Sequence, residues 1–281
     1  MTMMEAVLYT MAAPFANEWL RQKRMRMSLT DKRGPRHLII YGPGGNGKTT
    51  FGRFQNHLLS TSPIEPVDGK NYKKLNWDNL FDHITTGGSP FPVIVDDIKP
   101  TCFGRGNGSL EGRIKAYFEN EWGAELEFPM MIFNTNHDNL EEWAKTRVRR
   151  LDFLVKFRGT EEEQLRVQKI LERTNHVFPA FSKLYAEELS KGMEYSHDEL
   201  HLARTVFVKL YRLAGREFPD FFPSKPPEKI YDMDAIYCVH RESYKLFTEK
   251  KIGNGLRLEF KSYKTLKNYA SRLPPSVSSI V

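Results

Sequence analysis

The sequence predicts an α/β fold in which a mostly parallel sheet is covered by helices. Three observations carry this expectation. Short apolar runs alternate with helical patterns, a glycine-rich turn leads from the first run straight into a helix, and an acid pair closes the next long apolar run. In order, strands are expected at "HLIIY" (37–41), "FPVIVDD" (91–97), "FPMMIFN" (128–134) and "LDFLVKF" (151–157). Helical patterns fall at 48–60, 77–84, 109–121 and 138–146. Ahead of this core, residues 3–28 alternate apolar and basic positions at helical spacing, interrupted by Pro14, and end in the turn-like "DKRGPRH". After Arg158 the character changes. "TEEEQLRVQKILERT", "AFSKLYAEELSKG" and "SHDELHLARTVFVKLYRLAG" read as three amphipathic helices. "EFPDFFPSKPPEK" (217–229), with four prolines, reads as a linker. The expected organisation is an N-terminal helical segment (1–34), a core (35–158), a helical lid (159–216), and a linker with a small basic C-terminal module (217–281).

A chain of 281 residues has room for one large domain or two ordinary ones, and its 40% hydrophobic content suffices for a core. Mean hydropathy is −0.53, and no apolar run approaches the roughly 20 residues needed to span a bilayer, so no membrane partner is expected. "MEAVLYTMAAPF" lacks a basic flank and reads as a packing helix rather than a signal peptide. Cys102 and Cys238 are too few for a disulfide scaffold or a zinc cluster, and the expected compartment is the cytoplasm, or the host cell interior for a viral protein. The formal charge of +7 is unevenly spread. Residues 241–272 hold nine Lys/Arg against three Glu, with Tyr244, Phe247, Phe260, Tyr263 and Tyr269 interleaved. Such a mixture suits a polyanion, with cations on phosphates and rings for stacking, and it equally suits a solubilised helix and hairpin with inward aromatics.

The chemistry concentrates in "IIYGPGGNGKTTF". Gly42, Gly47, Lys48 and Thr49 fit G-x-x-x-x-G-K-[ST] without a mismatch, after a strand and before a helix. The glycines let backbone N–H groups turn toward phosphates, Lys48 neutralises the β/γ oxygens, and the Thr49 hydroxyl ligates Mg²⁺. The positive end of the helix starting at Lys48 adds to the same site. The expected binding loop is therefore Gly42, Pro43, Gly44, Gly45, Asn46, Gly47, Lys48, Thr49 and Thr50, with ATP and Mg²⁺ as cofactors. "PVIVDD" supplies the acids. Asp96, 47 residues after Thr49, is placed to hold Mg²⁺ through water, and Asp97 to orient or deprotonate the attacking water. "HDELH" (197–201) is similar to a zinc-protease signature, but Asp198 replaces the glutamate, and Ser196 with Glu199 reads as a capping box at a helix start.

With "IIYGPGGNGKTT", "VIVDD", "FPMMIFNTN" and "TRVRRLDFLVKF" in this order, residues 35–158 resemble the superfamily 3 helicases of small DNA viruses and phages, within the AAA+ class of ring ATPases. The resemblance implies an AAA+-like P-loop NTPase core, and an oligomer, a hexameric ring in the extreme case, acting on nucleic acid in replication, with single-stranded DNA as the expected partner. It implies that Asn136 senses the γ-phosphate, with Asn134 as the second choice. Both also fit a polar turn capping a helix at Asp138. It implies that Arg147 reaches a neighbouring subunit's ATP, with Arg149 and Arg150 as rivals, and a solvated arginine edge as the plain alternative. One departure stands out. Those helicases insert a DNA-gripping hairpin carrying Lys and His between the acid pair and the sensor strand, whereas here the interval after the 109–121 helix is only the short, acidic "EWGAELEF", so that either the hairpin is absent or its role has moved to "KPTCFGRGNGS" (99–109). That departure keeps open an ATP-driven switch or assembly protein in phage defence or replication control. A small-molecule kinase would leave the Asn136 and Arg147 motifs idle.

Overall fold

The computed structural model describes residues 2–27, 34–60, 64–71, 74–99, 102, 110, 112–114, 128–137, 147–154, 159–173, 176–192 and 198–224, together with strands at 247–252 and 255–260. The chain divides into two compact units, Met1–Ser224 and Lys225–Val281.

In the first unit, β1 (His37–Tyr41), β2 (Val67–Asp68), β3 (Val93–Asp96), β4 (Met131–Thr135) and β5 (Val148–Asp152) form one sheet in the order β2-β3-β4-β1-β5, and every pairing is parallel. Strands buried on both faces read as continuous apolar runs, which is why "HLIIY" and "VIV" were legible. Alternation then sorts each strand between two cores. Leu38, Ile40, Ile94, Ile132 and Leu151 enter one core, while Ile39, Val95, Met131, Phe133 and Val148 enter the other.

The first core is covered by α1 (Thr2–Ala12), α3 (Lys48–Leu59), α6 (Val177–Ser190) and α7 (His201–Leu213). The second is covered by α4 (Lys74–Gly87), through Trp77, Phe81 and Ile84, with Leu110 and Ile114. Pro14 falls in a 3-10 turn (Ala13–Phe15) between α1 and α2 (Ala16–Met27), so the helix breaks where a residue without an N–H must break it. α5 (Glu161–Leu171) begins at a capping box of Thr160 and Glu163 and buries none of its residues.

Several elements depart from the sequence reading. β5 starts at Val148, three residues before the expected Leu151. Its two arginines disguise a strand, because Arg149 is buried beside Glu5 (3.8 Å) and Arg150 stacks on Tyr41 (4.4 Å). α6 begins at Val177 because Pro179 falls in the first helical turn, where proline is tolerated. α7 begins at His201, and Glu199 accepts from the Tyr9 hydroxyl and pairs with Arg36 instead of closing a capping box. The expected helix at 138–146, and most of the one at 109–121, lie outside the described residues, as do Ser196 and His197.

A buried charge cluster fastens α1 to α7. Arg204 donates to Glu5 Oε1 (2.7 Å), Asp198 Oδ2 (2.8 Å) and the Pro223 carbonyl. Removing one partner of such a set strands a charge in a dry interior, which costs far more than a surface pair is worth.

His37, buried at the start of β1, accepts the Met131 N–H on Nδ1 at 3.0 Å. Burial pushes its pKa down to about 4. The unfolded imidazole titrates near 6.5, so between about pH 6.5 and 4 the unfolded chain takes up a proton that the folded one refuses. Stability is intact above that window and falls through it by about 1.4 kcal/mol per pH unit from this residue. Chemical denaturation from pH 7.5 to 4.5 is expected to show a shallower decline for His37→Asn, and identical slopes for both proteins would refute the assignment.

In the second unit, β6 (Phe247–Ile252) and β7 (Gly255–Phe260) form an antiparallel hairpin. Ile252 lies opposite Gly255.

Candidate active site

β1, β3 and β4 deliver their carboxyl ends to one edge of the sheet, and the expected site residues assemble there. The loop after Tyr41 passes under the end of β4, with Gly42 N donating to the Thr135 carbonyl (3.2 Å). A Cβ on Gly42 would lie 2.0 Å from Asn46 Nδ2 and 2.3 Å from the Phe153 carbonyl, so only glycine fits. Gly47 takes φ 77° as the N-cap of α3, a conformation glycine adopts without steric cost. Pro43, Gly44 and Gly45 are exposed, Asn46 is buried, and Thr49 and Thr50 follow on the first turn of α3, with Thr49 exposed.

Lys48 is the hub. Its three N–H groups are shared among the carbonyls of Gly42 (2.7 Å) and Pro43 (3.1 Å), Asn46 Oδ1 (2.9 Å) and Asn136 Oδ1 (2.6 Å). All four acceptors are neutral. Burial holds the ammonium below the usual lysine range, while Asp96 and Asp97 pull it back up. A half-desolvated cation on neutral oxygens is a receptor for an anion.

Asn136 carries the chain of contacts onward, its Nδ2 donating to Asp97 Oδ1 (3.4 Å). Asn134 does something different. Its Nδ2 bonds the Lys48 carbonyl (3.3 Å) and Asp96 Oδ1 (3.2 Å), tying the first turn of α3 to the end of β3. The two asparagines are therefore not interchangeable: Asn136 faces the ammonium and Asp97, whereas Asn134 props Asp96. Asn134 Oδ1 is buried and finds no hydrogen-bond donor among the described residues.

Lys70 is a contributor the sequence did not flag. It lies in the 3-10 turn after β2, and its Nζ meets Asp97 Oδ2 at 2.5 Å. The Asp97 carboxylate accordingly raises the lysine's pKa, and Asp97 itself is held between two side chains. Asp97 adopts φ 54°, the one positive value outside glycine among the described residues.

Arg147 is not brought to this site. Its carbonyl accepts from His37 N (3.2 Å), beside the first residue of β1, whereas the phosphate loop follows the last. Five residues at about 3.3 Å separate these ends by about 17 Å. Arg149 is buried beside Glu5, and Arg150 Nε pairs with Asp152 (2.6 Å).

The residues present fit a nucleotide with its magnesium ion. The glycine loop and Lys48 would hold phosphate oxygens. Thr49 and Asp96 would hold the metal, with the donor-less Asn134 oxygen ready for a water in its shell. Among the described residues there is no group of three or more His, Cys, Asp or Glu side chains that could hold a metal ion. No helix among those residues is long and apolar enough to cross a membrane.

A glycine-rich cradle after β1, an acid pair at the end of β3 and a polar strand end between them give the chain a P-loop NTPase-like α/β fold. Residues 1–139 match the family model described as the Aq_aa27 P-loop NTPase domain. Among curated proteins, none matches the chain. Solved structures to which it is similar include the SCCmec type IV Cch active helicase, at 10% identity and a TM-score of 0.46 over 96% of this chain. The chain spans 63% of that helicase's length. It is also similar to the AAA domain of FIGL-1 in complex with ADP, at 13% identity and a TM-score of 0.36, covering 85% of this chain and 86% of that one. A third is the inhibitor-bound JCV helicase, at 15% identity and a TM-score of 0.32, covering 84% of this chain and 64% of that one.

Proposed function

We propose that this P-loop NTPase is a Mg²⁺-dependent ATPase that works as an oligomer on nucleic acid, in the manner of the superfamily 3 helicases its motifs resemble. The observation that carries hydrolysis, rather than binding alone, is the path from Lys48 through Asn136 to Asp97. One amide spans the cation that meets the terminal phosphate and the carboxylate suited to positioning water, so a change at either is felt by the other. Lys48 holds and neutralises phosphate oxygens. Asp97 accepts a proton from, or orients, the attacking water, and Asn136 keeps the two in register. A magnesium ion held by Thr49 and Asp96 would supply charge neutralisation to the phosphate oxygens.

The separation of Arg147 from its own cradle supports an assembly in which that cation serves a neighbouring copy. Arg149, committed to Glu5 inside the fold, is the weaker candidate. The basic, aromatic stretch 241–272 supports single-stranded nucleic acid as the partner. The short acidic interval "EWGAELEF" favours a second reading, a nucleotide-driven switch that separates no strands. A strand-displacement assay with ATP and Mg²⁺ distinguishes them. Unwinding supports the motor, and nucleotide hydrolysis without unwinding at any protein concentration supports the switch.

The nucleic-acid arm has its own test. Replacing Lys261, Lys264 and Lys267, which lie outside the described residues, with Gln is expected to weaken single-strand binding and to flatten its salt dependence. Each lost phosphate contact removes about 0.7 from the log–log slope, so the triple variant loses about 2. ATP hydrolysis without nucleic acid stays intact. An unchanged slope in fluorescence anisotropy across a salt titration returns these lysines to a solvated face.

A further inference from the structure

We propose that Asn46 is a positioning residue that couples phosphate capture by Lys48 to the chain leaving β5 for the helices beyond it. The two ends of its amide face different partners. Oδ1 accepts from Lys48 Nζ at 2.9 Å, and Nδ2 donates to the Phe153 carbonyl. Asn46 is 1% exposed, so neither end can fall back on solvent. The void left by the absent side chain of Gly42 is what lets this amide reach Phe153.

Phe153 is the junction. Its N–H is held by the Tyr41 carbonyl (2.7 Å), its carbonyl by Asn46, and its ring packs on Phe51 of α3 at 5.1 Å. One residue later the chain is exposed, at Leu154, on its way to α5. The far end of α5 returns to the phosphate-loop helix, where His57 Nε2 meets the Arg173 carbonyl at 2.6 Å. α5 also lies directly against α3, and with no buried residue of its own it depends on its contacts with the loop-and-α3 unit.

When Lys48 turns its ammonium toward a phosphate, Asn46 Oδ1 loses its charged donor. A buried amide oxygen without a donor is costly, so the amide reorients and its hold on Phe153 weakens. Phosphate arrival is thereby felt as slack at α5, with no nucleotide contact to that helix. The proposal rests on the reading of the loop as a nucleotide site.

Hydrogen–deuterium exchange of residues 161–171, with and without ADP and Mg²⁺, tests it on the full chain. In the wild type, ADP is expected to speed exchange there roughly 2- to 10-fold, the ratio that the net worth of one hydrogen bond sets. Asn46→Asp keeps an acceptor for Lys48 but cannot donate to Phe153. Its α5 should exchange at the faster rate already without ADP and change little on adding it. Asn46→Ala, which removes both bonds, should do the same. If Asn46 merely props the loop, both variants lose thermal stability while the ADP effect on α5 persists, and the proposal is overturned. Wild-type protein that binds ADP by fluorescence titration but shows no change at α5 also overturns it, leaving the nucleotide site standing. Absence of ADP binding to the wild type removes both together.

Discussion

Lys48→Ala is expected to remove nearly all ATP affinity, while Asp97→Asn binds ATP as the wild type does and turns over almost none. In the folded chain the Lys48 ammonium already sits partly out of water on four neutral oxygens. Part of its desolvation cost is therefore met before any ligand arrives, and a phosphate has only to displace neutral acceptors from a cation already at the loop. Charge-assisted bonds of this kind are worth about 1.5–3 kcal/mol each, so the loss in affinity should be on the order of 10- to 100-fold or more. Asp97→Asn removes a charge and the ion pair to Lys70 but leaves a carbonyl oxygen for Asn136. What it cannot do is take a proton from water, a contribution typically worth 10²–10⁴-fold in rate. Titration with a fluorescent ATP analogue and a phosphate-release assay measure the two effects separately. Equal loss of binding in both variants would show that cradle and carboxylate do not divide the work as argued.

The second large effect is collective. The ATPase rate per subunit is expected to rise with protein concentration, and Arg147→Ala to abolish the rise while leaving ATP affinity unchanged. Arg147 sits beside the amino end of β1, about 17 Å of strand away from the loop at the other end, so within one copy it has no route to the phosphates. A cation supplied across an interface typically contributes 10³–10⁵ in turnover, and removing it should lower the assembled rate by a factor of that order. A dilution series, with the oligomeric state followed by light scattering, decides it. A wild-type rate that stays constant where the protein is demonstrably monomeric would return Arg147 to a structural role at the edge of β5.

How legible the site was depended on how local its chemistry is. Gly42 through Thr49 could be read directly, because a phosphate loop is built from consecutive backbone groups and the strand and helix that flank it. Asp96 and Asp97 were legible as the polar end of an apolar run. Asn136 and Asn134 were legible only as a pair. Their separate duties come from the insertion of β4 between β1 and β3, a matter of sheet order that spacing does not encode. Lys70 left no signal at all. It reaches Asp97 because β2 lies beside β3, and a two-residue strand after Pro66 is too short to show any alternation. β5 was displaced by three residues for a related reason. Arg149 looks like surface until its partner Glu5, near the other end of the first unit's sequence, is known. The helices after Gly159 were found because amphipathic periodicity survives without tertiary information, although the bond that joins α7 to α1 spans 199 residues.

The backbone of Asp97 has a consequence for which residues can stand there. At φ 54° the main chain is in the left-handed region, which Asn and Asp tolerate because their short polar side chains bond locally, and which longer or branched residues resist. The position thus screens candidates by shape before charge enters. Asparagine passes the screen and fails only at chemistry. Glutamate carries the right chemistry but would have to hold a left-handed turn it disfavours, or let the end of β3 relax and carry its carboxylate away from Asn136 and Lys70. The nearest chemical relative is therefore the poorer substitute. Of all the acids the genetic code offers, the geometry of this one peptide leaves the site with aspartate.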